Sequence, residues 1–254
     1  MSLINETSLL TARILRRWGG DTATVAQSLL FPAFFLVALD IVLGDDVERV
    51  TGHSGLYGSV PLVSLIGATS GAIIVAVGVM RERDDGLLSR FWVVPSNRAS
   101  GLLSRLLAEA VRILLITSFV MCVGLVRGFR FTQGFAQAVA WLFMPAIFGV
   151  AFSAVVMTIA LYAQNTLVPQ ATEVIAAVMF FFSTGFVPLE QFPKWLQPFA
   201  EHQPCSYVVE AMRGLSMGGP VLKPVVGTLL WSAGIAVVIA IPLVAGYRKA
   251  SRRD

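Results

Sequence analysis

The sequence predicts an all-α integral membrane protein with six transmembrane helices. Of its 254 residues, 56% are hydrophobic and only 13% are charged, whereas roughly a quarter of the residues in an ordinary globular chain are charged. The apolar residues also form uncharged runs of the length that crosses a bilayer, about 20 helical residues for a hydrocarbon core of about 30 Å. A water-soluble fold is excluded because it would need far more polar surface.

Six apolar segments define the predicted spans. They lie at about 24–43, 58–80, 102–126, 135–161, 168–187 and 225–247. The fourth and fifth come from one uncharged stretch, 131–172, which is too long for a single span and divides at the polar sequence YAQNTLVPQ. The third is the least apolar because Arg105, Glu109 and Arg112 fall in its first half. All six belong to one transmembrane domain, residues 1–254.

The distribution of Lys and Arg predicts that both termini are cytoplasmic. An even number of spans puts the termini on the same side of the membrane, and cytoplasmic connections carry the excess of positive charge. With the termini inside, twelve Lys and Arg residues fall in inner segments and six in outer segments, while Arg112 lies within a span. We therefore expect a multi-pass plasma-membrane protein. Its net charge of +4 indicates attraction to the anionic inner leaflet, not nucleic-acid binding.

Residues 1–20 lack the apolar core and the small-residue cleavage site of a signal peptide. On a helix, Leu3, Leu10, Ile14 and Trp18 share one face, apart from the charged residues. We expect a helix that lies in the inner membrane interface. The alternative is a solvated tail.

The segment 81–95, between the second and third spans, concentrates charge. Its acidic residues are Glu82, Asp84 and Asp85, and the apolar residues that follow them are Leu87, Leu88, Phe91 and Trp92. Acids favour a helix N-terminus, the apolar spacing fits one helical face, and Pro95 ends the helix. This pattern predicts a short amphipathic helix at the cytoplasmic surface, which either caps the bundle or docks into a cleft on another protein.

The segment 188–216 predicts short helices at the outer face. Pro193, Pro198 and Pro204 prevent a continuous span, and the aromatic residues between them prefer the membrane interface. Short re-entrant or surface-lying helices are the expected result. They either cap an exit path or only anchor the chain in the interface.

Ionisable residues within spans usually face a partner or a cavity, because their burial in lipid is costly. Glu109 and Arg112 are three residues apart on one helical face, and we expect them to pair as a structural element. Glu173 opens the fifth span, where it either lines the substrate entry or bonds a neighbouring subunit. Asp40 lies near the outer end of the first span.

Small and aromatic residues indicate helix contacts within the spans. Gly67 and Gly71 form a small-xxx-small pair that permits close helix approach. Phenylalanines cluster in the first and fifth spans: Phe31, Phe34, Phe35, Phe180, Phe181 and Phe182. Each cluster either packs against lipid and core in the ordinary way or lines a substrate path.

The sequence contains no recognisable site for nucleotide, metal or hydrolytic chemistry. A phosphate-binding loop needs G-x-x-x-x-G-K-[ST], and no Gly-Lys pair occurs anywhere in the chain. His53 and His202 are isolated, and clustered cysteines or paired catalytic carboxylates are absent. We therefore expect no cofactor, no metal and no ATPase activity in the chain itself. Cys122 and Cys205 are expected to be free thiols.

Two motifs resemble those of ABC-2 type permeases. The first, RERDDGLLSRFWVVP from Arg81 to Pro95, is similar to the family's R-E-x-G-x-L-x-R-x-x-x-x-P segment, with one extra residue between the acid and the glycine. In that family this segment is the coupling helix, seated on the nucleotide-binding subunit. The resemblance implies that the coupling residues are Arg81, Glu82, Arg83, Asp85, Gly86, Leu87, Leu88, Arg90, Phe91 and Pro95.

The second motif, Phe181 to Gly214, is similar to the outer segment of the daunorubicin-resistance permeases within that family. The matching residues are Phe186, Pro188, Pro193, Trp195, Leu196, Pro204, Ala211 and Arg213. Gln203 departs from the pattern, because many members have Asn there. The resemblance implies a type V exporter domain in which spans one and five border the transport path and the permease dimer contact. The implied path residues are Phe31, Phe34, Phe35, Glu173, Phe180 and Phe181.

The resemblance implies a permease subunit of an ATP-driven exporter that moves an amphiphilic lipid or a hydrophobic drug outward across a bacterial plasma membrane. ATP and Mg²⁺ would bind two copies of a separate, DrrA-like cytoplasmic ATPase. A DrrB-like permease would complete a heterodimer in contact with membrane lipid. The segments HSGLYGSVPLVSLIGA, GFRF and HQPCSY are similar to mycobacterial members, whose relatives export phthiocerol dimycocerosate lipids.

Three other functions stay open on the sequence alone. An ABC-2 permease for a lipid-linked glycan shares the layout and would show a continuous tunnel lined by aromatic residues. A proton-coupled secondary transporter would need inner carboxylate relays and usually internal repeats, for which Glu173 alone is little support. A membrane-bound enzyme has no visible site.

Overall fold

The apolar segments form long helices in the computed structural model, which describes residues 3–84, 98–163 and 167–250. In chain order the helices are α1 (Leu3–Gly20), α2 (Thr22–Thr51), α3 (Leu56–Asp84), α4 (Arg98–Arg127), α5 (Phe135–Tyr162), α6 (Leu167–Phe181), α7 (Gln197–His202), α8 (Pro204–Met217) and α9 (Leu222–Ala250). A 3₁₀ turn, Leu189–Gln191, precedes α7. None of these described residues forms a strand, and the predicted all-α class is confirmed.

Local sequence explains how the long helices begin, end and continue. Asp21 caps α2, because its carboxylate accepts hydrogen bonds from the Thr24 backbone N–H at 3.2 Å and hydroxyl at 2.6 Å. These bonds hold the pKa of Asp21 below its usual value. Gly52 ends α2 in the left-handed conformation, at φ 71°, which suits glycine. Four long helices continue through an internal proline, namely Pro32, Pro61, Pro145 and Pro242.

Five of the described helices are long and apolar enough to cross a membrane. They are α2, α3, α4, α5 and α9, and they contain the predicted spans 24–43, 58–80, 102–126, 135–161 and 225–247. The predicted span 168–187 falls on α6, which has 15 residues. Such a helix is about 22 Å long, short of a bilayer core of about 30 Å. The membrane fold is thus confirmed, while the count of six crossings stays a prediction.

α6 is short because the chain turns into the bundle after Phe181. Ser183, Thr184 and Gly185 are buried in this turn. A Cβ on Gly185 would lie 2.9 Å from the Cβ of Leu62 in α3, so the turn fits tightly against that helix. The chain then returns through α7 and α8, and α8 packs against α3, α5 and α9.

α3 and α5 form the centre of the bundle, and α2 and α9 lie at its periphery. The main core includes Val60, Leu62 and Leu65 of α3, Trp141 of α5 and Met212 of α8. The peripheral helices expose many large apolar side chains. Such surfaces are expected where lipid or another membrane protein is the neighbour.

One end of the bundle, here called the arginine-rich end, gathers most of the Lys and Arg residues predicted to be inside. It consists of α1, the C-terminal ends of α3, α5 and α9, and the N-terminal end of α4. The Thr11 hydroxyl of α1 donates to the Ser104 carbonyl of α4 at 3.3 Å. The Tyr247 hydroxyl of α9 lies 2.6 Å from the position of a Cβ on Gly101 of α4. These contacts bring helix ends that are distant in sequence to one surface.

The opposite end, here called the loop end, consists of α7, α8 and the connections from α2 to α3, from α4 to α5, from α6 to α7 and from α8 to α9. The Thr132 N–H donates to the Ser216 carbonyl at 2.9 Å, and the Tyr57 hydroxyl donates to the Arg130 carbonyl at 3.3 Å. The connection from α4 to α5 is therefore fastened to both α8 and α3.

Candidate functional site

The residues that open the predicted coupling segment continue α3 as its last turn. Arg81, Glu82, Arg83 and Asp84 are helical. This differs from the expectation that Glu82 and Asp84 begin a separate helix, because both lie at a helix C-terminus. The remaining predicted coupling residues lie outside the described residues: Asp85, Gly86, Leu87, Leu88, Arg90, Phe91 and Pro95.

Arg83 joins the end of α3 to the end of α5. Its Nη1 donates to the carbonyls of Ala163 at 2.6 Å and Ala160 at 3.2 Å, and its Nε donates to Asp84 at 2.9 Å. The last carbonyls of a helix have no partner within the helix and carry partial negative charge, so a guanidinium is well suited to bind them. The Arg83 side chain is 9% exposed. It therefore connects the start of the predicted coupling segment to the end of α5.

Glu82 joins the same turn of α3 to α4 by an ion pair with Arg105. Both side chains are partly buried, at 25% and 13% exposed respectively. Tyr247 of α9 interacts with Arg105 and lies close to Glu82. The last turn of α3 is thus linked to α5 through Arg83 and to α4 and α9 through Glu82. Arg81 is exposed.

The predicted ion pair between Glu109 and Arg112 is present and lies within the bundle. Arg112 donates from Nε to Glu109 at 3.0 Å and forms a second bond to the same carboxylate from Nη2. The Ser153 hydroxyl of α5 donates to Glu109 at 3.1 Å. The Arg112 and Glu109 side chains are 5% and 2% exposed. Two bonds between the charges and a third from α5 offset part of the cost of burying them.

Gly71 of α3 has a role that its spacing from Gly67 did not indicate. A Cβ on Gly71 would coincide with the guanidinium of Arg112, so glycine leaves the space that this side chain occupies. A Cβ on Gly67 would lie 2.7 Å from Ile116 and 3.4 Å from Pro32. Only Gly67 therefore fits the expected role of letting apolar parts of helices approach closely.

The turn after α6 is held at the loop end by polar side chains of the outer segment. The Gln203 amide donates to the Phe182 carbonyl at 2.5 Å. The Ser206 hydroxyl accepts from the Thr184 N–H at 3.3 Å, and Arg213 donates to the Thr184 carbonyl at 3.0 Å. Arg213 was predicted from the motif, whereas Gln203 was noted only as a departure from it. Both satisfy backbone groups that the buried turn would leave without partners.

The other predicted residues of the outer segment divide between core and surface. Pro204 is buried at the start of α8, Pro188 is partly buried, and Pro193 and Trp195 are exposed. Lys223 of α9 donates to Glu201 of α7 at 2.9 Å. This ammonium holds the pKa of the Glu201 carboxyl below its usual value.

The predicted path residues do not all face the same surroundings. Phe31, Phe34 and Phe181 are exposed, at 58%, 71% and 69%. Phe180 is buried in the main core, and Phe35 packs partly against that core. Glu173 belongs to α6, and its side chain lies outside the described residues. The exposed phenylalanines therefore lie on the surfaces of α2 and α6, whereas Phe180 has a packing role.

Asp40 has a partner that the sequence did not suggest. Arg127 at the end of α4 donates from Nε to its carboxylate at 2.7 Å, which joins α2 to α4 at the loop end. Asp40 and Arg127 both lie at the outer ends of predicted spans, and this shared position was the sequence feature that could have indicated their pairing.

Cys122 and Cys205 are free thiols, as expected. Within the ranges that the structure describes, no group of three His, Cys, Asp or Glu side chains is placed to hold a metal.

This arrangement, a bundle of long apolar helices whose ends are joined by a few charged side chains, is that of a multi-pass membrane protein. The family model described as ABC-2 type transporter matches residues 5–217. The chain therefore belongs to the ABC-2 type transporter family, and it is a permease component.

Named relatives agree with this assignment. The chain is 50% identical to the "Probable doxorubicin resistance ABC transporter permease protein DrrC" of Mycobacterium tuberculosis, in strains CDC 1551 and H37Rv, over 98% of this chain and 90% of that protein. It is 24% identical to the daunorubicin resistance ABC transporter permease protein DrrB1 of Streptomyces coeruleorubidus, over 84% of this chain and 75% of that protein.

Proposed function

We propose that the protein is the permease subunit of an ATP-driven exporter that moves an amphiphilic lipid or a hydrophobic drug outward across the plasma membrane. ATP and Mg²⁺ bind to a separate cytoplasmic ATPase, present in two copies. The membership in the ABC-2 family and the 50% identity to a doxorubicin resistance permease support this proposal. The arginine-rich end faces the cytoplasm, in keeping with the distribution of positive charge across membranes.

The ATPase docks on the segment 81–95. The observation that carries this assignment is the set of contacts at its beginning. Arg83 binds the carbonyls that end α5, and Glu82 pairs with Arg105 of α4. A displacement of the segment by the ATPase would therefore act on three helices at once rather than on a free loop. ATP shifts the equilibrium between two states of the permease only by binding them differently.

A second permease completes the complex. α2 and α6 each expose large apolar side chains, among them Phe31, Phe34, Val174, Ile175 and Phe181, and these helix faces are candidates for the contact between permeases and for the border of the path. We propose a related, DrrB-like permease as the second subunit, as the resemblance to the daunorubicin-resistance permeases implies. Membrane lipid surrounds the remaining peripheral helices.

The cargo proposed is an apolar or amphiphilic molecule. The printed names of the relatives concern resistance to doxorubicin and daunorubicin, and the resemblance to mycobacterial members extends this to phthiocerol dimycocerosate lipids. A lipid-linked glycan remains the alternative cargo.

Reconstitution tests the proposal. The chain, its ATPase and the second permease are placed together in vesicles, and efflux of doxorubicin and of a long-chain lipid is measured with and without ATP. The proposal predicts ATP-dependent efflux of at least one of these, which persists when a protonophore removes the proton gradient. Transport of either cargo against its concentration gradient by the chain alone would contradict the proposal. Efflux that follows the proton gradient at constant ATP would also contradict it.

A further inference from the structure

Two tyrosines hold α9 where it reaches the arginine-rich end. The Tyr162 hydroxyl, at the end of α5, donates to the Pro242 carbonyl of α9 at 2.9 Å. The Tyr162 ring lies directly against α9, because a Cβ on Gly246 would lie 2.8 Å from its Cε2 atom. Further along α9, Tyr247 forms a hydrogen bond with Arg105 of α4. This part of α9 is therefore joined to α5 by one hydroxyl and to α4 by the other.

Both contacts lead back to the last turn of α3, where the predicted coupling segment begins. Arg83 binds backbone carbonyls on either side of Tyr162 in the chain. Glu82 pairs with Arg105, which is the residue that Tyr247 bonds. Adjacent residues of α3 thus reach α9 by two separate routes, one through α5 and one through α4.

Pro242 is a point at which α9 can bend. Proline has no N–H, so the Val238 carbonyl one turn earlier lacks its usual donor within the helix, and sharp bends in helices occur mostly at prolines. The next residue, Leu243, is buried in a cluster with Val79 of α3 and Met157 of α5. The segment that follows the proline is therefore anchored by packing as well as by the two hydroxyls.

We propose that Tyr162 and Tyr247 are positioning residues that make the segment of α9 after Pro242, residues 243–250, move together with the coupling segment, while α9 bends at the proline. This inference rests on the docking of the ATPase on the segment 81–95, as proposed above. The ATPase then acts on α9, a peripheral helix, as well as on the central helices. Because the two routes run side by side, each hydroxyl alone transmits part of the displacement.

The links in both routes are suited to transmitting a displacement, because they are largely shielded from water. Hydrogen bonds and ion pairs are stronger in surroundings of low dielectric constant than in water. The Arg83 and Arg105 side chains are 9% and 13% exposed, so water does not readily replace their partners. Loss of one hydroxyl should weaken the connection to α9 by about fivefold, the change in an equilibrium constant that one hydrogen bond of average strength produces.

Distances between spin labels test the proposal in the full complex of the chain, the ATPase and the second permease, reconstituted in vesicles. Cys122→Ser removes the exposed native thiol. One label is placed on α9, either after the proline at Val244→Cys or before it at Val237→Cys, and the other on α4 at Leu115→Cys. These three positions are exposed, at 39%, 73% and 50%. Electron paramagnetic resonance records each distance with and without ATP and vanadate, and efflux is measured on the same vesicles.

We expect ATP and vanadate to change the distance from position 244 and to leave the distance from position 237 nearly unchanged. The double variant Tyr162→Phe, Tyr247→Phe should lose this change and most of the efflux, and each single variant should keep part of both. Tyr57→Phe is the matched control, because it removes a hydroxyl that donates to a carbonyl at the loop end; it should behave as the native chain does.

Three results would overturn the proposal: a change in distance that survives in the double variant, an equal change at positions 237 and 244, or the loss of the change in Tyr57→Phe. ATP-dependent efflux by the native complex without a change at position 244 would also overturn it, and would leave the proposed function intact. A native complex without ATP-dependent efflux would contradict the proposed function itself, and the role of the two tyrosines with it.

Discussion

Replacing Gly71 by alanine should break the buried ion pair on the neighbouring helix. The new Cβ would take the place of the Arg112 guanidinium, which is bonded to Glu109 and nearly enclosed. Displacing it removes the counter-charge of Glu109, which lies among apolar helices and keeps only the hydrogen bond from Ser153. Removing one partner of a buried pair costs about 3–5 kcal/mol, and we expect Gly71→Ala to lower the free energy of unfolding by a similar amount. Gly78→Ala is the control, because nothing lies within 4 Å of its Cβ position.

Gly71→Ala should no longer destabilise the protein when the pair is absent. Replacing both Glu109 and Arg112 by leucine removes the buried charges together, which is typically neutral or stabilising. In that background Gly71→Ala should stabilise the protein by up to about 1 kcal/mol, the difference in helix propensity between glycine and alanine. We therefore predict that the effect of Gly71→Ala on the free energy of unfolding changes sign when the pair is removed.

Unfolding in mixed micelles of lipid and sodium dodecyl sulfate measures this cycle. Helix content measured by circular dichroism gives the free energy of unfolding of each single, double and triple variant. The non-additive part of these free energies isolates the interaction between position 71 and the Glu109–Arg112 pair. An equal cost of Gly71→Ala with and without the pair would contradict this role of Gly71. It would mean that Gly71 serves close helix packing, as the small-residue spacing alone suggested.

Other predictions concern coupling, the outer turn and the driving force. Arg83→Leu should abolish ATP-dependent efflux while the ATPase still co-purifies, and Arg83→Lys should retain part of the efflux because a cation still faces the α5 carbonyls. Gln203→Leu should lower the free energy of unfolding by about 1–3 kcal/mol, because the Phe182 carbonyl loses its donor; Gln203→Asn should cost less, and equal losses in a denaturation experiment would contradict the role of that bond. Glu173→Gln should leave efflux driven by ATP, and collapse of efflux on dissipating the proton gradient at constant ATP would support a secondary carrier instead.

The sequence predicted the features that depend on local periodicity. Apolar runs located the five long helices, and the three-residue spacing of Glu109 and Arg112 predicted their pairing, because neighbours on one helical face are fixed by helix geometry. The prolines between 188 and 204 indicated that a continuous span was interrupted, and α7 and α8 are short.

Features that depend on the packing of distant segments were not predicted. Arg83 binds carbonyls about 80 positions away, and no local pattern reveals which helix end will lie beside it. Gly71 looked like a packing glycine, and only the position of Arg112 shows that it accommodates an ion pair. The predicted span was longer than α6 because Ser183, Thr184 and Gly185 are small and uncharged, and such residues do not interrupt an apolar run. Their burial in a turn depends on donors and acceptors from α8.

The docking of the ATPase on the segment 81–95 can be tested directly by co-purification. The tagged chain is co-expressed with its ATPase and second permease, and the recovered ATPase is measured for Leu88→Asp and for Leu9→Asp. Leu9 is a control at the arginine-rich end, 61% exposed on α1. We expect that Leu88→Asp loses the ATPase while the chain remains folded, and that Leu9→Asp retains it. Undiminished recovery with Leu88→Asp would contradict the docking role.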